Sequence, residues 1–235
     1  MKRGAKNMRV DPHRLFCNYK GTMERQDINI LIACEESQVE VTAFRAAGFN
    51  AFSCDILPCS GGHPEWHLHG SALSFLYFPG DMFTQDGSRH YVERWHVVIG
   101  HPPCTYLTRV GAIHLYRNGE VNETRLGKLR DARDFLLQIL NAPAQMVCVE
   151  NPIPLRAAQL PRPTCYVQPS DYGAPFTKKT CYWLRNLPPL MAGCSHPNPQ
   201  QYLLHCSSGR RSKSFPQIAE AMVQQWAPII EAEAH

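Results

Sequence analysis

Long apolar runs are missing from this 235-residue chain. No stretch approaches the roughly twenty residues a transmembrane helix needs, so no membrane span is expected. The opening MKRGAKNMRV is basic, but no apolar segment follows it, so no secretory leader is expected. Paired C-x-x-C spacing is missing too, although there are ten cysteines. Without a leader or a regular framework, these read as reduced, buried or catalytic thiols rather than disulfides. A strong charge of one sign is lacking. The 24 Lys+Arg against 20 Asp+Glu leave +4 with His neutral, which neither demands nor excludes a nucleic-acid partner. Glycine is sparse against proline, 15 to 19, and many prolines sit in short clusters (PPC, NPIP, LPRP, LPP, HPNP) that mark fixed loops. Internal repeats and low-complexity tracts are absent.

What is present suits one folded domain. Hydrophobic residues at 44% and charged residues at 19% exclude a wholly disordered chain. Residues 1–26 are polar and basic without a clear period and read as an N-terminal arm; 27–235 read as a single domain. The run Ile28–Ala33 predicts a buried strand, Ser37–Ala47 a helix stopped by Gly48, and Phe49–Ile56 a second strand with Asp55 at its carboxyl end. Together they make a βαβ unit. Residues 57–70 read as a loop and 79–90 as a surface insertion. Trp95–Ile99 predicts a strand that runs into Gly100-His-Pro-Pro-Cys-Thr105. Leu126, Leu129, Ala132, Phe135, Leu136, Ile139 and Leu140 keep helical spacing over 124–140. Met146–Val149 predicts a strand entering Glu150-Asn151-Pro152, 181–184 a further strand, and 216–231 a last helix. The fold class expected is α/β: a mostly parallel, Rossmann-like sheet with helices on both faces.

In such sheets ligands bind outside the carboxyl ends of the strands. Four groups fall there: Glu35 and Glu36, Asp55, the PPC loop, and Glu150-Asn151. They should converge. A carboxylate at the end of the second strand suits a ribose diol, which places Asp55. The first turn, Ala33-Cys-Glu-Glu-Ser-Gln38, lacks a glycine fingerprint, so no pyrophosphate cradle is visible. This counts against NAD or ATP and is compatible with S-adenosyl-L-methionine (SAM), which carries no phosphate. Two prolines lock the next loop and present Cys104 at a strand end. A thiolate is suited to attack C6 of a pyrimidine, making C5 nucleophilic. Glu150 could then contact ring N3 and the exocyclic amine, and Asn151 could hold the proline loop. For PPC alone a structural cysteine is the commoner reading; ENP on the next strand end reverses it.

In these motifs the sequence resembles the C5-cytosine DNA methyltransferases, most closely their small phage and prophage versions, over roughly residues 28–228. The order matches: a strand and turn at 28–38, Asp55, PPC at 102–104, ENP at 150–152, a basic segment before the strand at 177–184, and a last helix. The resemblance implies a SAM-dependent methyltransferase fold, Cys104 as nucleophile and Glu150 as the residue steadying cytosine. It implies Lys178 where the family has an arginine near the base, and a flipped cytosine in DNA as substrate. The expected cofactor-lining positions are Ala33, Cys34, Glu35 and Ser37, then Asp55 and Ile56, Ser71, His101 and Pro102. A bacterial cytoplasm, as phage or prophage product, and a monomer or weak dimer are expected.

This chain departs from the family in four places. The Phe-x-Gly-x-Gly start is replaced, Ser71 stands where a third-strand carboxylate is usual, and Arg211-Ser212 stands where Gly-Asn precedes the last helix. No target-recognition domain fits between the strand near 184 and the segment near 211. Basic residues for backbone contact are Arg109, Arg117, Arg125, Lys128, Arg130 and the run Arg210-Arg-Ser-Lys213. The alternatives are carboxy-SAM as donor, giving 5-carboxymethylcytosine, a free cytosine nucleotide as substrate, or a non-catalytic DNA-binding relative. Two clusters, Cys54/Cys59/His63/His67/His69 and Cys194/His196/His205/Cys206, carry zinc-type ligands without paired spacing, so no metal is assigned. Trp66, inside the first, is a candidate lining of the cofactor pocket.

Overall fold

The computed structural model describes residues 23–108, 115–117, 119–202 and 213–234. Apolar runs of four to seven residues become strands buried on both faces. These are β1 (Asn29–Ala33), β2 (Asn50–Asp55), β6 (Val97–Gly100), β9 (Met146–Pro152) and β12 (Thr180–Arg185). Two short strands, β3 (His67–His69) and β10 (Cys165–Val167), complete a seven-stranded sheet in the order β10-β12-β9-β6-β1-β2-β3. Counting only these strands along the chain, the order is third, second, first, fourth, fifth, seventh, sixth. The β1–β2, β2–β3, β1–β6 and β6–β9 pairs are parallel; β12 runs antiparallel to both β9 and β10. The chain reverses its winding between β1 and β6, which makes their carboxyl ends the switch point where a ligand crevice is expected. The α/β class is therefore Rossmann-like, with a mostly parallel sheet.

Alternation along each strand sorts side chains into two layers. Ile30 and Ile32, Val97 and Ile99, and Met146 and Cys148 face α1 (Val39–Ala46) and the last helix, α4 (Pro216–Glu233), among Phe44, Met222 and Trp226. Leu31, Val98, Val147 and Val149 face α2 (Ala72–Tyr77) and α3 (Glu123–Leu140), among Leu76, Leu129, Leu136 and Ile139. Asn122 caps α3 by accepting from the Arg125 amide. No described helix is long and apolar enough to cross a membrane.

Two stretches differ from expectation. The tail of the 57–70 loop is β3, which at three residues is too short to show a strand period. The 79–90 insertion is a hairpin of β4 (Gly80–Phe83) and β5 (Arg89–Val92). Minor pairs are β7 (Tyr116–Arg117) with β8 (Glu120–Val121), and β11 (Phe176–Thr177) with β13 (Gln200–Gln201). Of the basic arm, residues 1–22 lie outside the described residues. Arg25 pairs with Glu231 at 2.6 Å and donates to the Ala47 carbonyl at 2.9 Å, docking the chain beside α1 and α4.

Candidate active site

The loop after β6 is fixed at both ends and in the middle. The His101 amide donates to the Ala33 carbonyl at 2.9 Å, tying the loop to the end of β1. Asn151, buried on β9, donates Nδ2–H to the Pro102 carbonyl at 2.7 Å. The Arg125 guanidinium of α3 donates to the Thr105 carbonyl at 2.9 Å and lies 4.2 Å over the Tyr106 ring. Leu107 and Thr108 amides close a turn on the Cys104 carbonyl, and the Leu155 amide reaches the Leu107 carbonyl at 2.7 Å. Cys104 is thus held on a braced turn, half-buried, between the ends of β6 and β9. Arg125 is a brace of this loop, not the DNA contact expected from its charge: it is buried while its neighbours Glu123, Thr124 and Lys128 are exposed. Lys128 also leans on Tyr106, at 5.6 Å. Arg109 and most of the 210–213 run lie outside the described residues, as does the Arg117 side chain; Lys213 and Arg130 are described.

A cleft of about 330 Å³, counted to its open mouth, lies beside this loop and is lined by Glu40, His101, Glu150, Lys178, Tyr182 and Phe215 among others. His101 bridges two carboxylates. Its Nε2 is 2.8 Å from Glu40 Oε2 and its Nδ1 is 3.4 Å from Glu150 Oε2, with side-chain exposures of 11%, 1% and 14% for His101, Glu40 and Glu150. Burial alone would lower the imidazole, but Glu40 and Glu150 outweigh it and hold His101 well above its ordinary value. Burial would likewise raise Glu150; hydrogen bonding to His101, the Lys178 charge and Thr180 hold it below the usual range instead. Burial and Glu150 push the Cys104 thiol up, with Lys178 opposing. Cys104, Glu150 and Lys178 therefore share one electrostatic environment. The Lys178 ammonium lies 6.0 Å and 5.9 Å over the Tyr202 and Phe215 rings.

The first turn is built without glycine. Cys34 and Gln38 take left-handed backbone at φ 62° and 58°. Glu35 turns inward: its carboxylate accepts from the Glu40 amide at 2.6 Å and the Val41 amide at 3.2 Å, capping α1. Burial and the Glu40 carboxylate push Glu35 up to about 8 despite these bonds. Both carboxylate oxygens of Glu35 thus serve the helix start. Burial and Asp55 push the neighbouring Cys34 thiol to about 12, so it is inert at neutral pH. The 57–63 loop folds onto this turn. Gln38 clamps His63 through its backbone N–H and carbonyl at 2.9 and 2.7 Å, and the Ser60 amide reaches the Glu36 carbonyl at 2.7 Å. Ser37 is half-exposed beside it, and its carbonyl lies close under Gly61.

At the end of β2, Asp55 Oδ1 accepts from the Leu57 amide at 2.9 Å, and Ile56 is 74% exposed. Ser71 is exposed at the start of α2, one strand further out. Asp55, Ile56 and Ser71 thus form one group at the β2–β3 end, while His101, Glu150 and Lys178 line the cleft across the switch point. This arrangement fits a phosphate-free nucleoside cofactor. A half-exposed carboxylate stands ready for a ribose diol, an exposed apolar side chain adjoins it for the face of a purine, and no glycine cradle awaits a pyrophosphate. Trp66 does not line this crevice; it stacks on His63 at 3.8 Å and packs under Arg45 at 5.4 Å.

Among the described residues no group of three or more His, Cys, Asp or Glu is placed to hold a metal ion. Cys54 is in the core, His67 bonds Ser53 Oγ and the Leu57 carbonyl, and His69 bonds the Ile56 carbonyl. His205 and Cys206 lie outside the described residues. Glu40 escaped the sequence reading, as did the bracing role of Arg125. Glu40 had one signal: it stands four residues before Phe44, on the buried stripe of a short helix, where a carboxylate needs a partner.

No protein-family model and no curated protein matches the chain. Among solved structures, it is similar to a candidate DNA modification methyltransferase encoded within an E. coli prophage, with a TM-score of 0.33 and 16% identity. That similarity covers 67% of this chain and 46% of the other, so the match spans less than half of that protein. A likeness this slight carries nothing about activity.

Proposed function

We propose that the chain is a SAM-dependent DNA cytosine C5 methyltransferase in which Cys104 adds covalently to C6 of a flipped cytosine. The observation that carries this reading is the tether between two adjacent strand ends. Asn151, directly after Glu150 on β9, holds the carbonyl of Pro102, two residues before Cys104. This tether supports the reading because it ties the Cys104 loop to the strand end that carries Glu150 into the cleft, and the Lys178 charge acts on both groups.

Cys104 forms the S–C6 bond, and Glu150 meets N3 and the exocyclic amine on the opposite ring edge. Lys178 supplies positive charge beside both. Asp55 and Ile56 would hold the ribose and adenine of SAM; when bound, SAM supplies the methyl group that C5 accepts. DNA would approach the cleft that Lys178 and Lys213 line. A base removed from the stack is needed, because C6 is out of reach inside a duplex.

The test is a mechanism-based trap. An oligonucleotide carrying 5-fluorodeoxycytidine, incubated with protein and SAM, should give a covalent protein–DNA species by intact mass. Cys104→Ala should give none. A wild-type protein that forms no adduct on single- or double-stranded DNA would overturn the reading.

A further inference from the structure

Glu40 is buried in the first helix, belongs to none of the motifs above, and directs its carboxylate at one nitrogen of His101 while Glu150 occupies the other. We propose that Glu40 is a positioning residue that keeps His101 as the proton source for Glu150, so that Glu40, His101 and Glu150 act as a relay toward ring N3. This inference rests on the cytosine reading above.

The relay follows the two contacts of the ring: His101 Nε2 lies 2.8 Å from Glu40 Oε2 and Nδ1 lies 3.4 Å from Glu150 Oε2, and in the imidazolium both nitrogens donate. The backbone of His101 is tied to Ala33, and Pro102 is tied to Asn151, so the ring cannot swing away cheaply. An orienting carboxylate behind a histidine selects its tautomer and stabilises its cation, as in hydrolase triads.

The chemistry requires such a source. Resting Glu150 is held ionised, whereas N3 must gain a proton as sulfur adds. As the Cys104 thiolate forms the S–C6 bond, the C5=C6 pair moves to C4–C5 and the C4=N3 pair moves to N3. N3 takes a proton from Glu150, and Glu150 takes one from His101 Nδ1. His101 is left neutral, with Nε2–H still on Glu40. Once C5 has taken the methyl group, C4=N3 re-forms and N3 returns its proton along the same path; water then takes the C5 proton, the C5–H pair closes C5=C6, and sulfur leaves as thiolate. Cys104 gives its thiol proton to solvent before it adds, and neutralising Glu150 removes a negative charge beside the sulfur as the S–C6 bond forms.

Glu40 on α1, Glu35 at its start and Glu150 on β9 act on His101 itself; Cys148 on β9, Tyr182 on β12 and Cys104 on the loop act on Glu40 or Glu150, and Lys178 after β11 and Lys213 before α4 line the same cleft.

Two measurements test the relay. The first needs no substrate: nitrogen-15 histidine NMR of the full chain through a pH series. His101 should titrate well above the ordinary imidazole value in the wild type, and Glu40→Gln should lower its titration. A wild-type His101 that titrates near the ordinary value of about 6.5 overturns the relay, whatever the protein's activity. The second is single-turnover adduct formation on 5-fluorodeoxycytidine DNA. Glu40→Gln should slow it by about 10²-fold and shift its alkaline limb to lower pH, and Glu40→Asp should recover part of the rate. Unchanged rate and limb in Glu40→Gln overturn the relay while leaving Cys104 chemistry standing. Absence of any adduct in the wild type overturns the cytosine reading and the relay with it, while a high His101 titration would still report the Glu40 contact.

Discussion

Replacing Asn151 with alanine removes the buried tether of the proline loop. The bond lost is a 2.7 Å contact to the Pro102 carbonyl from a side chain only 1% exposed. Leaving that carbonyl without its donor costs about 1–3 kcal/mol. An opposing contribution of similar size exists. Asn151 Oδ1 is itself buried without a partner among the described residues, and alanine removes that desolvated acceptor. The two nearly offset, so the net loss of stability should stay within about 1 kcal/mol, since β12 still pairs with β9 at this position. Catalysis has no such offset. Freed from Asn151, the Pro102–Cys104 segment can drift, and a displacement of about 1 Å in a reacting group costs about 10²-fold in rate. Urea denaturation measures the first quantity, and adduct formation on 5-fluorodeoxycytidine DNA the second. A variant that traps DNA at the wild-type rate would refute the positioning role. One that loses more than about 3 kcal/mol would show that Asn151 serves the fold.

Other perturbations probe other parts of the site. In Gly61→Ala a Cβ would lie 2.5 Å from Gln38 Cβ and 2.7 Å from the Ser37 carbonyl, so the overlying loop must lift. Calorimetry should show a loss of about 1–3 kcal/mol together with weaker SAM binding; an unchanged melting temperature would refute the packing. Arg125→Ala should slow adduct formation by about tenfold, because the Thr105 carbonyl next to Cys104 loses its brace; normal kinetics would count against that brace. Stability should fall as pH rises from 7 to 8. Glu35 keeps its proton up to about 8 when folded but loses it near 4.5 when unfolded, and His101 is also raised, so the folded state binds more protons in this window. His67 and His96, held low by burial, act in the opposite direction, but mainly below about 6.5. Denaturation at both pH values checks the sign, and Glu35→Gln should flatten the slope.

The sheet was readable because its central strands announce themselves. Ile-Leu-Ile, Val-Val-Ile and Met-Val-Cys-Val are short, apolar and bounded by turn residues, as strands buried on both faces must be. β3 and β10 were hidden because a three-residue edge strand has no period to read. The candidate site was legible where chemistry and topology coincide, at Cys104, Glu150 and Asp55 on strand ends. It was illegible where a residue's role depends on what lies across the sheet. Glu35 looked like a cofactor contact and caps a helix. Arg125 looked like a surface cation and braces a loop. Glu40 looked like an ordinary helix carboxylate and meets His101, sixty-one residues on. Such pairings come from parallel strands and crossovers, which local sequence does not encode.

The most direct measurement of the central claim is nucleoside mass spectrometry of DNA after incubation with purified protein and SAM, with a parallel sample given carboxy-SAM. Gain of one methyl group on deoxycytidine, absent with Cys104→Ala, is the result expected. Deoxycytidine unchanged with either donor, on single- and double-stranded DNA alike, would contradict the account.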